Sequence, residues 1–401
     1  MLTLLWQQRR KQYKYYGDQT CATDGLCATS CPMKINTGEL THLIRQLDMN
    51  RNHLGYQVGE FAANHMAGIK SGLRVVLDVA HAAHVTLGPK LMTTVCRSMN
   101  KMGMPLWTTA MPKKHRQPKK SDLTQFIIEK SIPHKEEEHS DLKVVYFPSC
   151  INQTMGQSKQ GGKIHDLVDE VIQLMAKAGY EVIFPEGMEK MCCGQIWESK
   201  GMLDIADRKS AELEKALWKA SEEGKYPVLC AQSPCLHRMK KVMGEREKSD
   251  ACIDSAEHEG TRPEGKVMHK MKLYEPAEFM EYLVPRLDFH PIDRAIALHI
   301  TCSTRQMGVA DDLIALAKLC STKVFLPEGV GCCGFAGDRG FTFPELNKYG
   351  LRKLRPQIEA NHIEVGYSNS RTCEIGLETN TGIPYMSIVY LVNECTTCKK
   401  D

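Results

Sequence analysis

The chain has 401 residues, and 52 Lys plus Arg against 48 Asp plus Glu leave a formal net charge of +4. That near-balance argues against nucleic acid as a main partner, and 42% hydrophobic with 25% charged residues excludes collagen-like and wholly disordered chains. No apolar stretch approaches the roughly 20 residues that span a bilayer. The opening Met1–Trp6 run meets Arg9-Arg10-Lys11 too soon for a signal peptide. A soluble cytoplasmic protein is expected, at most peripheral at the inner face of a membrane. The informative number is 17 cysteines, an odd count with several adjacent or closely spaced. In a large chain of a reducing compartment, such grouping favours metal ligation or redox chemistry over disulfides.

Composition divides the chain into four zones: a cysteine motif with a helical domain over 1–111, a charged linker over 112–142, and two further units over 143–290 and 291–401. The first motif is Cys21-Ala22-Thr23-Asp24-Gly25-Leu26-Cys27-Ala28-Thr29-Ser30-Cys31-Pro32. It follows the bacterial C-x2-C-x2-C-x3-C-P run with Asp24 in the second cysteine's place, so Cys21, Cys27 and Cys31 predict a [4Fe–4S]-type site. Asp24 is either a weaker carboxylate ligand or a residue behind the ligands. In paired runs the cysteine before Pro serves the neighbouring cluster, so Cys31 is expected to serve a cluster whose other ligands lie upstream, outside this chain.

Asn36, with Glu39 three residues on, predicts a helix start, and Leu40, Leu43, Ile44 and Leu47 recur at helical spacing. Further helices are expected around Val58–Ile69 and Leu73–Ala83. The linker carries charge runs from Pro112-Lys113-Lys114 to Lys135–Glu138 and reads as solvated.

The remainder is an internal repeat. Val144–Phe147 leads to Cys150, Val182–Phe184 to Cys192-Cys193-Gly194, and Pro227–Ala231 to Cys235. In the second copy Ala295–Leu298 leads to Cys302, Val324–Leu326 to Cys332-Cys333-Gly334, and Glu364–Tyr367 to Cys373. Helical stretches separate these apolar runs. The order predicts an α/β fold: a ferredoxin-like helical N-terminal region followed by two parallel-sheet units. Each set of four cysteines then lies beyond the carboxyl ends of parallel strands, where open α/β sheets bind ligands. Four thiolates suit an iron–sulfur centre or a tetrahedral zinc, and the adjacent pair suits several iron atoms better than one zinc. Cys96, Cys230, Cys252 and Cys320 read as small buried hydrophobes. Cys395-x2-Cys398 reads as a frayed tail. No phosphate loop or Ser–His–Asp pattern is visible, and no catalytic residue is assigned.

The Cys–CCG–Cys pattern resembles the CCG cysteine-rich domain found in heterodisulfide reductase and in the small subunit of anaerobic glycerol-3-phosphate dehydrogenase. Those domains usually close with Cys-x2-Cys, whereas Gln232 and Ser370 replace the first cysteine here. Three stretches, Thr20–Cys27, Cys333–Phe341 and Ser370–Gly376, are similar to the C-terminal iron–sulfur half of FAD-linked D-2-hydroxy-acid dehydrogenases of the D-lactate or D-2-hydroxyglutarate type. That resemblance implies an oxidoreductase acting on CH–OH donors, with iron–sulfur clusters in this chain and FAD on a partner or upstream domain. Electrons would pass to a quinone or cytochrome, and the chain alone would be inactive. The alternatives are a heterodisulfide-type thiol reductase and a zinc-stabilised scaffold.

Overall fold

The computed structural model describes residues 12–100, 108, 110–112, 114, 142–157, 165–243 and 271–399. The cysteine loop turns through Gly25, left-handed at φ 66°, into α1 (Leu26–Ser30). Helix α2 (Thr37–Arg51) starts where predicted, with the Asn36 side chain accepting the Gly38 N–H at 3.0 Å. Asn52 caps α3 (His53–Asn64) in the same way, through the Gly55 N–H at 3.0 Å. Helix α4 (Met66–Asn100) kinks at Gly88. The helix break expected between Ile69 and Leu73 falls instead at His65, whose backbone leaves the helical region at φ −115° and ψ 29°.

The apolar stripe of α2 faces outward. Leu40, Leu43 and Leu47 are exposed, while Thr41 and Arg45 are buried. Arg45 sets this orientation by donating to Asp18 Oδ1 at 2.9 Å, the Cys21 carbonyl at 2.9 Å and the Ser199 carbonyl at 3.0 Å. One guanidinium thus ties helix, cysteine loop and first repeat together.

In the first repeat, β1 (Lys143–Tyr146), α5 (Leu167–Lys177), β2 (Glu181–Ile183), α6 (Leu203–Ala220), β3 (Val228–Leu229), α7 (Ser233–Met243) and β4 (Leu273–Tyr274) build a sheet of order β2-β1-β3-β4, every pair parallel. After β5 (Leu287–Phe289), the second repeat runs through β6 (Ile292–Leu298), α8 (Cys302–Gln306), α9 (Ala310–Cys320), β7 (Ser321–Phe325), α10 (Pro344–Gly350), α11 (Leu354–Ala360), β8 (Val365–Ser368), α12 (Arg371–Thr381) and β9 (Tyr385–Ser387). Its order, β7-β6-β8-β9, is again all parallel. The registers match: Val145 lies across from Ile183 and Val228, and Ala297 across from Phe325 and Gly366. The predicted α/β class with two repeated parallel sheets therefore holds. The short fourth strands β4 and β9 were not foreseen.

The two sheets share one apolar core, in which Tyr146, Leu174 and Phe279 join Ile296, Leu313 and Tyr390. The expected frayed tail is α13 (Ile388–Cys395) followed by β10 (Thr396–Cys398), which pairs antiparallel with β5. Buried Cys395 meets buried Cys320, and Cys398 Sγ donates to the Lys177 carbonyl at 3.1 Å. Backbone pairing and thiol burial hold this end, which spacing alone did not reveal. Of the expected 112–142 linker, Pro112 is buried and Lys114 bridges to Met155 and pairs with Asp78. Apart from Leu142, the rest lies outside the described residues.

Arg45→Met should lower the unfolding free energy by about 2–4 kcal/mol, because several buried acceptors and Asp18 lose their donor. It should also open the 12–36 segment to limited proteolysis. Arg355→Met removes only an exposed pair with Glu359 and should cost under about 0.5 kcal/mol in the same denaturant titration.

Candidate metal centres

Each repeat brings its four cysteines together from three loops. Cys150 follows β1, Cys192-Cys193 follow β2, and Cys235 sits in the first turns of α7. Cys302 opens α8, Cys332-Cys333 follow β7, and Cys373 sits in the first turns of α12. A thiolate near a helix N-terminus is favoured by the unpaired N–H groups there.

The glycine of the CCG triplet explains itself in both copies. Gly194 (φ 88°) and Gly334 (φ 68°) are left-handed, and a Cβ would lie 2.4 Å from the Ala206 carbonyl oxygen or 2.5 Å from that of Leu346. Only glycine fits. The resulting turn aims the Gly194 N–H at Cys192 Sγ and the Gly334 N–H at Cys332 Sγ, each at 3.4 Å. The next carbonyl is pinned in each copy: Arg238 Nε and Ser210 Oγ donate to that of Cys193 at 2.9 Å, and Asn347 Nδ2 to that of Cys333 at 2.6 Å.

The sulfurs of each site form a row. Cys150 touches Cys192, Cys192 touches Cys193, and Cys193 touches Cys235. In the second site the order is Cys302, Cys332, Cys333, Cys373, with the last two sulfurs 3.2 Å apart. Around one zinc, four sulfurs at about 2.3 Å would stand about 3.8 Å from one another in every pairing. Among the described residues no four thiols lie so mutually close. A row fits a multinuclear centre better than a single tetrahedral ion.

The thiols also obstruct one another's ionisation. The neighbouring Cys150 draws the pKa of Cys192 down, but Cys193 and burial push it up to about 12. Cys193 draws Cys235 down, while burial pushes it up to about 11. Cys302 is raised by Cys332 and by burial. Such rows call for a cation, and metal uptake must release protons.

The structure moves Asp24 out of the N-terminal motif. Its carboxylate joins Cys302 and Cys332, with all three ligand atoms within 4.8 Å of one another. Burial and Cys332 raise its pKa to about 6. Cys21, Cys27 and Cys31 do not gather in this way. Cys27 is exposed, and hydrogen bonds from Thr37 and Gly38 draw its thiol down against desolvation. Cys21 Sγ accepts the Thr23 N–H at 3.4 Å, and Cys31 is half-buried.

Two residues near the sites carry no sequence signal, and a third, Cys230, reads in the sequence only as a small buried hydrophobe and is indeed buried. Cys230 is a fifth buried thiol, close to Cys193 and Cys235; its place five residues before Cys235 was the available signal. Lys70, on the largely apolar helix α4, is buried near Cys150 and Cys192. His299 is held by Ser368 Oγ at 3.1 Å through Nδ1, while its buried Nε2 has no partner among the described residues. Burial lowers its pKa to about 4, so the ring near Cys332 is neutral. That orphaned nitrogen, the thiol rows and Asp24 together fit a metal-containing group at the second site. Cys96 packs with Met92, and Cys252 lies outside the described residues.

A family model described as cysteine-rich domain (CCG) matches residues 144–240 and 296–378, which are the two repeats. That match and the clustered cysteines support metal or iron–sulfur binding. No curated protein matches the chain. Among the described residues, no helix is long and apolar enough to cross a membrane.

Gln232 and Ser370, which replace the first cysteine of Cys-x2-Cys, meet each other instead of a metal site. Gln232 Nε2 donates to Ser370 Oγ at 3.2 Å, and Gln232 Oε1 accepts the Arg371 N–H at 3.0 Å. These two positions form a contact between the repeats.

Replacing Cys192 and Cys193, or Cys332 and Cys333, with Ser should each remove one repeat's metal and leave the other's, because a hydroxyl is a far poorer ligand than a thiolate. Metal analysis of the two anaerobically purified variants checks this; unchanged content in both contradicts it. Gly194→Ala should cost more than about 2 kcal/mol and the same metal, from the left-handed φ plus the clash with Ala206. Gly187→Ala, with no atom nearer than 3.8 Å, should carry the φ cost alone.

Proposed function

We propose that this chain is the iron–sulfur electron-transfer part of a flavin-dependent D-2-hydroxy-acid dehydrogenase. Substrate oxidation takes place on FAD carried by a partner or further domain, and electrons leave through this chain toward a quinone or cytochrome. FAD supplies the hydride chemistry, and the thiolates of this chain hold groups that accept one electron at a time. The observation that carries the reading is the pair of matched thiol rows with the N-terminal cysteine loop set against the second.

The stretches that carry the dehydrogenase resemblance support it further, because they join these units. Thr20–Cys27 delivers Asp24 to Cys302 and Cys332. Cys333–Phe341 walls the second site with Phe335 against Phe341, and its Arg339 donates to the Gln19 carbonyl at 2.8 Å. Within Ser370–Gly376, buried Arg371 pairs with Glu374 at 2.7 Å and reaches the Gly156 carbonyl of the first repeat. A flavin-bearing partner also has a surface to meet: Leu47, Leu54, Phe61, Val76 and Val79 are exposed on α2, α3 and α4. The Gln232–Ser370 contact weighs against a heterodisulfide-type reductase, whose domains usually close with Cys-x2-Cys.

The purified chain should bind no FAD and should not reduce a dye with D-lactate or D-2-hydroxyglutarate. Co-expression with an FAD-domain protein carrying its own C-x2-C-x2-C-x3-C-P run should give a complex that does. That complex should lose reduction of quinone or cytochrome, but not flavin reduction by substrate, in the Cys332→Ser/Cys333→Ser variant. Substrate-dependent dye reduction by the flavin-free chain overturns the proposal.

A further inference from the structure

We propose that two opposite charges, buried Lys70 beside the first row and half-buried Asp24 beside the second, set the two thiol rows at different reduction potentials, so that an electron entering the second repeat comes to rest in the first. The inference rests on the iron–sulfur reading above.

The rows correspond residue by residue: Cys150 to Cys302, Cys192 to Cys332, Cys193 to Cys333 and Cys235 to Cys373. One supporting contact is matched, since the same glycine N–H reaches the same sulfur at 3.4 Å in each. The rows differ in Cys230 beside the first, in His299 and a Phe335 N–H to Cys333 Sγ at 3.4 Å beside the second, and above all in the net charge beside the first two sulfurs. In the first repeat it is the Lys70 ammonium, which reaches the Met191 carbonyl one residue before Cys192 at 3.4 Å and acts electrostatically on Cys150 and Cys192. In the second it is the Asp24 carboxylate, adjacent to Cys302 and Cys332.

Among the described residues, neither charge is cancelled by a direct ion pair. Lys70 Nζ is held by the neutral Gln153 Oε1 at 2.9 Å and the carbonyls of Met188 and Met191 at 3.2 and 3.4 Å. Arg74 on the same helix adds positive charge, and Glu189 opposes it from further off. Asp24 Oδ1 accepts the Leu26 N–H at 3.2 Å, and Gln306 fixes its carbonyl. The nearby cation on α8, Arg305, is exposed and screened by water.

Reduction adds one negative charge to a centre. A nearby cation in a buried site stabilises that charge, and a nearby anion opposes it, so the two effects add in the difference between the rows. Asp24 shares its loop with Cys21 and Cys27, which makes the second repeat the side of entry. One electron leaves the group in the second repeat and one arrives at the group in the first; no bond or proton moves. The partner's reduced flavin supplies the electrons, and the acceptor removes them.

The test is an EPR-monitored potentiometric titration of the full chain, reconstituted anaerobically and assayed for iron and sulfide. The Cys192→Ser/Cys193→Ser and Cys332→Ser/Cys333→Ser variants assign the signals. The first-repeat signal should titrate at the higher potential, by at least a tenfold difference in the reduction equilibrium, about 59 mV for one electron. Asp24→Asn, nearly isosteric, should raise the second-repeat potential and leave the first unmoved. Lys70→Met should lower the first alone, and Lys70→Arg should keep it. If Lys70→Met fails to fold, the Asp24→Asn shift still decides. Coincident or reversed potentials in a chain with full iron and sulfide, or an Asp24→Asn variant with no shift, overturn this proposal and leave the iron–sulfur reading standing. Absence of iron and sulfide overturns both.

Discussion

Four largely buried thiols in contact cannot all lose their protons unless a cation sits among them. Each repeat of this chain is built around that constraint. The parallel strands deliver one thiol or thiol pair from each of three carboxyl ends, and helix N-termini and glycine N–H groups face the sulfurs with positive dipoles. The left-handed glycine after each pair is the tightest point of the frame, because a neighbouring carbonyl excludes any side chain there.

Around these equal frames the chain places unequal surroundings. The first row has a fifth thiol, Cys230, and the ammonium of Lys70. The second has a carboxylate from the N-terminal loop and a neutral histidine whose Nε2 has no partner among the described residues. Duplication supplied two copies of one site, and residues from outside the sheets made them differ. The residues that lock the units together, Arg45, Arg339 and Arg371, are each held by backbone carbonyls from other parts of the chain, so the relation of loop to row is fixed by buried hydrogen bonds.

Much of this was legible in the sequence because period and spacing are local. Apolar runs ending in cysteine marked the two sheets, and the CCG triplets marked the thiol pairs. Residues that act through space were not legible. Lys70 lies 80 residues from Cys150 in the chain, and nothing in the helical pattern marks it as turned inward. Spacing links Asp24 to Cys21 and Cys27, yet tertiary packing turns its carboxylate toward the second repeat. The α2 stripe kept its helical period but faces outward, because Arg45 has more acceptors on the inner side than a leucine could replace. The last cysteines look like a frayed end in the sequence because β10 needs β5, far away in the chain, to exist.

The iron–sulfur proposal requires that each thiol row hold several iron atoms bridged by sulfide. X-ray absorption at the iron edge of the anaerobically purified chain tests it most directly. A sulfur shell together with a short iron–iron shell is expected, both weakened but present when either CCG pair is replaced. A chain that carries zinc instead, in a four-sulfur shell with no second metal nearby, would contradict it.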